Sequence, residues 1–242
     1  MSNFIYGIRA VIEAIDAGKE PERIFIQQGI NNPLMHELKE VLKKRNFVWQ
    51  QVPVEKLNRL TSNNHQGVVC FISEITYDLA ENVLPMIYEK GEVPLLLILD
   101  RITDVRNLGA IARTAACAGV HAIIIPSRGS AQINADAVKT SAGALNKITV
   151  CRENNLKQTI QYLKDSGIQI VACTEKSTSL IYDIDYKIPV AIIMGSEEDG
   201  ISGEYLKLAD AKAKIPMSEI INSLNVSVAA GVILYRSEEH TS

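Results

Sequence analysis

The chain has 242 residues, 47% hydrophobic and 22% charged, with a formal net charge of −3. These values suit a globular chain with ample core material and exclude a disordered, collagenous or strongly basic one. No apolar run reaches membrane-spanning length, so neither a membrane protein nor an overall polycation is expected.

Charge is not evenly spread: residues 1–73 hold nine Lys and Arg against seven Asp and Glu, whereas 74–92 hold one against five. Local basic faces are therefore compatible with the total. Cys70, Cys117, Cys151 and Cys173 are widely spaced, form no CxxC pair and sit in or beside apolar stretches. They read as buried, reduced thiols, with neither disulfide nor metal role. The N-terminal sequence lacks the basic, apolar and small-residue succession of a secretory signal, so a cytoplasmic location is the expectation.

In chain order, Ile8, Val11, Ile12 and Ile15 recur at helical spacing within Ile5–Ile15, and Asp16-Ala17-Gly18 ends that helix. Arg23–Ile26 predicts a strand, Pro33–Arg45 an amphipathic helix, and Phe47–Val52 and Val68–Ile72 two further strands. This first α/β domain is placed at residues 1–73. The acidic tract 74–92, with a helix over Leu79–Tyr88, is read as the linker, and residues 93–242 as the second domain.

Leu95–Leu99 is a continuous apolar run of the kind found in a strand covered on both faces. After it the pattern alternates. Helices are predicted over Leu108–Ala118, Ala135–Ala142, Asn155–Asp165, Ser202–Leu208 and Ser223–Tyr235. Strands are predicted over Ala122–Ile125, 148–150, Gln169–Cys173, Val190–Met194 and 213–215. Such alternation implies an α/β fold built on a mainly parallel sheet. A polar tail, 236–242, follows the last predicted helix.

Three segments, each after a strand, carry more Asn, Gly, Ser, Arg and Glu than a core requires: 100–114, 193–202 and 215–227. In open parallel sheets, ligands lie beyond the carboxyl ends of strands, which is where these segments fall. Each has an ordinary structural explanation alone. Asn107, Ser223 and Asn225 suit helix caps, Gly195 and Gly200 suit turns, and Arg113 suits a solvated helix face. An oxidoreductase reading fails on the first segment, where only Gly109 stands in place of GxGxxG.

Together, Asn107-Leu108-Gly109-Ala110-Ile111-Ala112-Arg113-Thr114, Met194-Gly195-Ser196-Glu197-Glu198-Asp199-Gly200-Ile201-Ser202 and Ile215-Pro216-Met217 with Ser223-Leu224-Asn225-Val226-Ser227 resemble the three motifs of the SpoU (TrmH-like) family of the SPOUT superfamily. Ile5–Val11 and His65–Val69 are similar to that family's N-terminal RNA-binding domain. Ala118–Ala122, Ser130–Asn134 and Ser141–Ala144 most resemble its 23S ribosomal RNA guanosine methyltransferases.

The resemblance implies an RNA ribose 2′-O-methyltransferase with a deep trefoil knot, working as a homodimer on RNA, with S-adenosylmethionine and no metal. It implies a polar reaction centre of Asn107, Arg113, Glu197, Ser223 and Asn225. Cofactor binding falls to Thr174, Met194, Gly195, Glu197, Gly200, Ile215, Met217, Ser223 and Leu224, with the glycines letting backbone approach the cofactor. Arg9, Arg101, Arg106, Arg113 and Arg128 are the candidate RNA contacts, and His65 stands either against RNA or within a turn. A transfer RNA substrate, or a non-catalytic assembly factor of the same fold, are the alternatives.

Overall fold

The computed structural model describes residues 4–218 and 223–238, with Ser237 and Glu238 described by backbone alone. It divides into two compact units. One runs to Thr76 and includes Gln132–Ala135; the other comprises Tyr77–Ala131 and the residues from Asp136 onward.

The first unit contains β1 (Phe4–Tyr6), α1 (Ile8–Asp16), β2 (Pro21–Gln27), α2 (Pro33–Lys44), β3 (Trp49–Val52), α3 (Val54–Leu60) and β4 (Val68–Ile72). Its strands form one sheet in the order β1-β4-β2-β3, with β4 antiparallel to both neighbours and β3 parallel to β2. One sheet face buries Ile24, Ile26, Val68 and Cys70 against Ile8, Val11, Leu38 and Leu42 of α1 and α2. The other buries Phe25, Val52 and Val69 against Leu57 of α3.

Two local readings change. The helix expected from Ile5 starts at Ile8, because Gly7 takes a positive φ of 90° and Phe4–Tyr6 pairs with β4. Helix α3 was not expected, since seven residues are too few to display a helical repeat.

The second unit contains α4 (Ala80–Glu89), β5 (Leu95–Leu99), α5 (Val105–Cys117), β6 (Ala122–Pro126), α6 (Ala135–Thr140), β7 (Thr149–Glu153), α7 (Leu156–Asp165), β8 (Gln169–Cys173), β9 (Val190–Met194), α8 (Gly203–Leu208), β10 (Ala211–Ala213) and α9 (Val226–Glu238). All six strands are parallel, in the order β10-β8-β9-β5-β6-β7. The apolar run in β5 sits between β9 and β6 with Leu97, Ile98 and Leu99 fully buried. Each such side chain contributes about 1.5–3 kcal/mol by leaving water.

The tract 74–92 is not a free linker along its length: Ala80, Val83, Leu84 and Ile87 of α4 are buried in the second unit's core. Helix α9 begins at Val226 rather than Ser223 and continues past Tyr235 to Glu238, while 239–242 lie outside the described residues. Cys117 is exposed on α5, against the expectation of four buried thiols. Burial pushes the Cys70, Cys151 and Cys173 thiols up to about 12.

Candidate active site

The site grows from the carboxyl ends of β5 and β9. These neighbours are in register, Leu99 opposite Met194, and the Asp100 amide donates to the Met194 carbonyl at 2.8 Å. Their following loops therefore leave the sheet side by side.

Asp100 fastens those loops. Its carboxylate, 2% exposed, accepts from the Ser202 amide at 2.6 Å, the Ser202 hydroxyl at 2.7 Å and Arg101 Nε at 3.2 Å. Arg101 also donates to Asp199 at 2.9 Å and to the Gly200 carbonyl at 3.0 Å, and Asp100 raises its guanidinium pKa. Between them, Gly195 passes so close to the 200–201 backbone that an added Cβ would lie 2.1 Å from the Gly200 carbonyl carbon. The chain's own loop thus needs glycine at 195. Gly200 is required differently, through its φ of 68°.

That clamp presents Glu197. Asp104 caps α5, its carboxylate accepting from the Asn107 and Arg106 amides at 3.1 and 2.7 Å, and these bonds hold its pKa below the usual aspartate range. Asn107 is therefore not the cap, and its side chain is available: Nδ2 donates to Glu197 Oε1 at 2.9 Å. Asn225 caps α9, where its Oδ1 accepts from the Ser227 amide at 2.9 Å, so its Nδ2 points away from the helix. That nitrogen donates to Glu197 Oε1 at 2.8 Å and to Asn107 Oδ1 at 3.1 Å. The Val226 amide reaches the same Oε1 at 3.4 Å. One carboxylate oxygen thus gathers donors from segments separated by 90 and 28 positions.

A cleft of about 250 Å³ opens here, lined by residues including Arg101, Thr103, Asn107, Glu197, Asp199 and Val226. This is below the roughly 300–1,000 Å³ of typical small-molecule pockets, a size for the reacting end of a ligand.

The remaining candidates fall elsewhere. Arg113 is exposed on α5, and six residues at about 100° each turn it about 240° from Asn107, so it does not share that face. Ser223, Leu224 and Met217 are exposed, Ile215 is half-buried, and Met194 and Thr174 are buried, the Thr174 amide donating to the Ala213 carbonyl. Residues 219–222 of the third segment lie outside the described residues. Arg106 is 84% exposed and 3.6 Å from Asp104, and Arg128 is exposed beside Gly129, which lines the cleft. Arg101, expected on RNA, donates within the clamp while its side chain stays 36% exposed. His65 is a turn residue: its Nδ1 accepts from the Gly67 amide and its Nε2 bonds Asn58.

Among the described residues, no helix is long and apolar enough to cross a membrane, and no group of three or more His, Cys, Asp and Glu is placed to hold a metal.

Residues 94–235 match the SpoU rRNA Methylase family, and residues 4–78 match its RNA 2′-O ribose methyltransferase substrate binding family. The chain belongs to the SpoU methylase family. It is 38% identical over 232 residues to the "Putative TrmH family tRNA/rRNA methyltransferase" of Staphylococcus aureus (strain MSSA476), covering 96% of this chain and 93% of that one. It is 32% identical over 233 residues to the similarly named YacO of Bacillus subtilis (strain 168), covering 96% and 94%. Among solved structures, the AdoMet-bound rRNA methyltransferase from Sinorhizobium meliloti is 27% identical with a TM-score of 0.64, covering 100% of this chain and 88% of that one.

Within this SpoU chain, sequence reading missed Asp100 and Ser202 as a pair. The available signal was an Asp closing an apolar strand, but its partner stands 102 positions away.

Proposed function

We propose that this SpoU-family enzyme methylates a ribose 2′-hydroxyl, on a guanosine of 23S ribosomal RNA, with S-adenosylmethionine as donor. The observation that carries this reading is the convergence of Asn107 and Asn225 on Glu197 Oε1 beside a small cleft.

The donor supplies an electrophilic methyl group on a positively charged sulfur. The cleft suits that charge, since Glu197, Glu198 and Asp199 line it. Backbone at Gly195 and Ile215, buried Met194 and Thr174, and exposed Met217, Leu224 and Ser223 offer the apolar and amide surface an adenosine needs. Glu197 is oriented by its three N–H donors, all on Oε1, and takes the proton of the attacking hydroxyl through its other oxygen. Arg113, exposed on another face of α5, binds phosphate of the target nucleotide; an always-charged guanidinium does not serve as the base. Arg106 and Arg128, exposed beside the cleft, bind flanking phosphates, and Arg9 contributes from the first unit.

The homodimer is supported by Val228, Val232 and Tyr235, which stand exposed at helical spacing on α9. The knot is supported by β9, which lies between β5 and β8 although both precede it in the chain. The first unit binds RNA and the second is catalytic, in a cytoplasmic protein.

The test is incubation with labelled S-adenosylmethionine and total RNA from a strain lacking the protein, then mapping of the label. Label on a 23S guanosine ribose is expected. Label confined to transfer RNA overturns the ribosomal assignment, and cofactor binding without transfer to any RNA overturns catalysis in favour of an assembly factor.

A further inference from the structure

The two faces of the first unit's sheet differ in how they treat charge. On the side covered by α1 and α2, three cations have acidic partners: Arg9 with Glu37 at 3.9 Å, Lys43 with Glu40 at 3.3 Å and Arg45 with Asp16 at 3.4 Å. On the other side, α3 covers only part of the sheet. Phe4, Tyr6 and Phe71 remain partly exposed along the β1 edge.

Register puts these rings in rows: Phe4, Phe71 and Arg23 lie opposite one another across three strands, and Tyr6, Val69 and Phe25 form the next row. The rings touch, Phe4 to Phe71 at 5.6 Å and Phe71 to Phe25 at 6.0 Å. Cations border them: Lys56 Nζ lies 4.4 Å and the Arg23 guanidinium 5.7 Å from the Phe25 ring centre. Arg59 follows Lys56 by three positions on α3, so both share a flank. Arg23, Lys56 and Arg59 are exposed, and none pairs with a carboxylate among the described residues.

We infer that this face, centred on Phe4, Phe71, Arg23 and Lys56, binds unpaired RNA, stacking bases on the rings and holding phosphates with the cations. Charge complementarity selects this occupant: a sheet of partly exposed rings bordered by unpaired cations matches a single strand, whose bases are free to stack. A duplex hides its base faces and would gain only the phosphate contacts. The inference rests on the reading of the first unit as the RNA-handling one and adds which face does so, and on which RNA.

The experiment uses the full chain and a fluorescent single-stranded RNA of about 12 nucleotides, against a duplex of equal length. Tighter binding of the single strand is expected. Phe71→Leu weakens that binding about tenfold while keeping an apolar side chain in place. Arg23→Gln with Lys56→Gln weakens it and reduces the slope of log affinity against log salt by about 1.4, or about 0.7 per lost phosphate contact. Lys43→Gln with Arg45→Gln, on the opposite face, leaves affinity unchanged. The inference is overturned if both face variants bind within about twofold of the parent. It is overturned equally if they change oligomeric mass with RNA affinity intact, which would assign the face to self-association. Methyl transfer is a separate readout: a parent that binds single strands but never transfers methyl refutes the proposed activity and leaves the face standing.

Discussion

Two carboxylates in the second unit collect similar donors and serve opposite ends. Asp100 is 2% exposed and accepts from Ser202 and Arg101, while Glu197, a few residues along the fastened loop, is exposed and accepts from Asn107, Asn225 and Val226. Removing a partner from a buried charge strands it in low dielectric, whereas an exposed carboxylate is rehydrated. Asp100 therefore belongs to the stability of the loop, and Glu197 to what the loop does.

Mutation separates the two most sharply at Asp100. Asp100→Ala leaves the Ser202 amide and hydroxyl without their acceptor and is expected to cost about 3–4 kcal/mol, read as a fall of about 10 °C in Tm. Equal losses from Asp100→Ala and Glu197→Ala in urea unfolding would erase the distinction. Gly195→Ala should cost roughly 3 kcal/mol in the same assay, because the new methyl meets backbone that has no rotamer to change. Glu197→Ala reverses the pattern, with under about 1 kcal/mol lost in unfolding but methyl transfer slowed about 100-fold or more. Asn225→Ala falls between, removing both a cap worth about 1 kcal/mol and a donor to Glu197, with turnover slowed roughly tenfold.

The smallest effect is at Asp104, whose pKa is lowered by the Asn107 and Arg106 amides. A depressed carboxyl stabilises the fold above its unfolded value and loses that contribution as pH falls through the folded one. The stability gap between the parent and Asp104→Ala, measured by urea unfolding, should therefore persist at neutral pH and close as pH falls below about 3.9, the ordinary value of an unfolded aspartate.

The elements with strong periodicity or long apolar runs were legible beforehand: β4, β8 and β9 occupy Val68–Ile72, Gln169–Cys173 and Val190–Met194 as predicted. Legibility failed where local signals were short or ambiguous. β1 has three residues and takes its conformation from pairing with β4, and α3 has seven. At the site, the polar segments could be picked out by composition, but cap and donor could not be told apart. Asn107 and Asp104 both suit an N-cap, and only their positions on α5 give the capping to Asp104 and the reach toward Glu197 to Asn107.

The sequence by itself determined that strands and helices alternate, that the sheet of the second unit is parallel and covered, and that three segments are too polar for a core. These are properties of neighbouring residues, and neighbours in sequence suffice to express them. Tertiary structure alone decided that Asp100 holds Ser202, that Gly195 yields to its own loop, and that Arg101 donates within the clamp. The first and last join groups about 100 positions apart, which only strand order and register bring together, and Gly195 depends on how closely its loop folds back on Gly200.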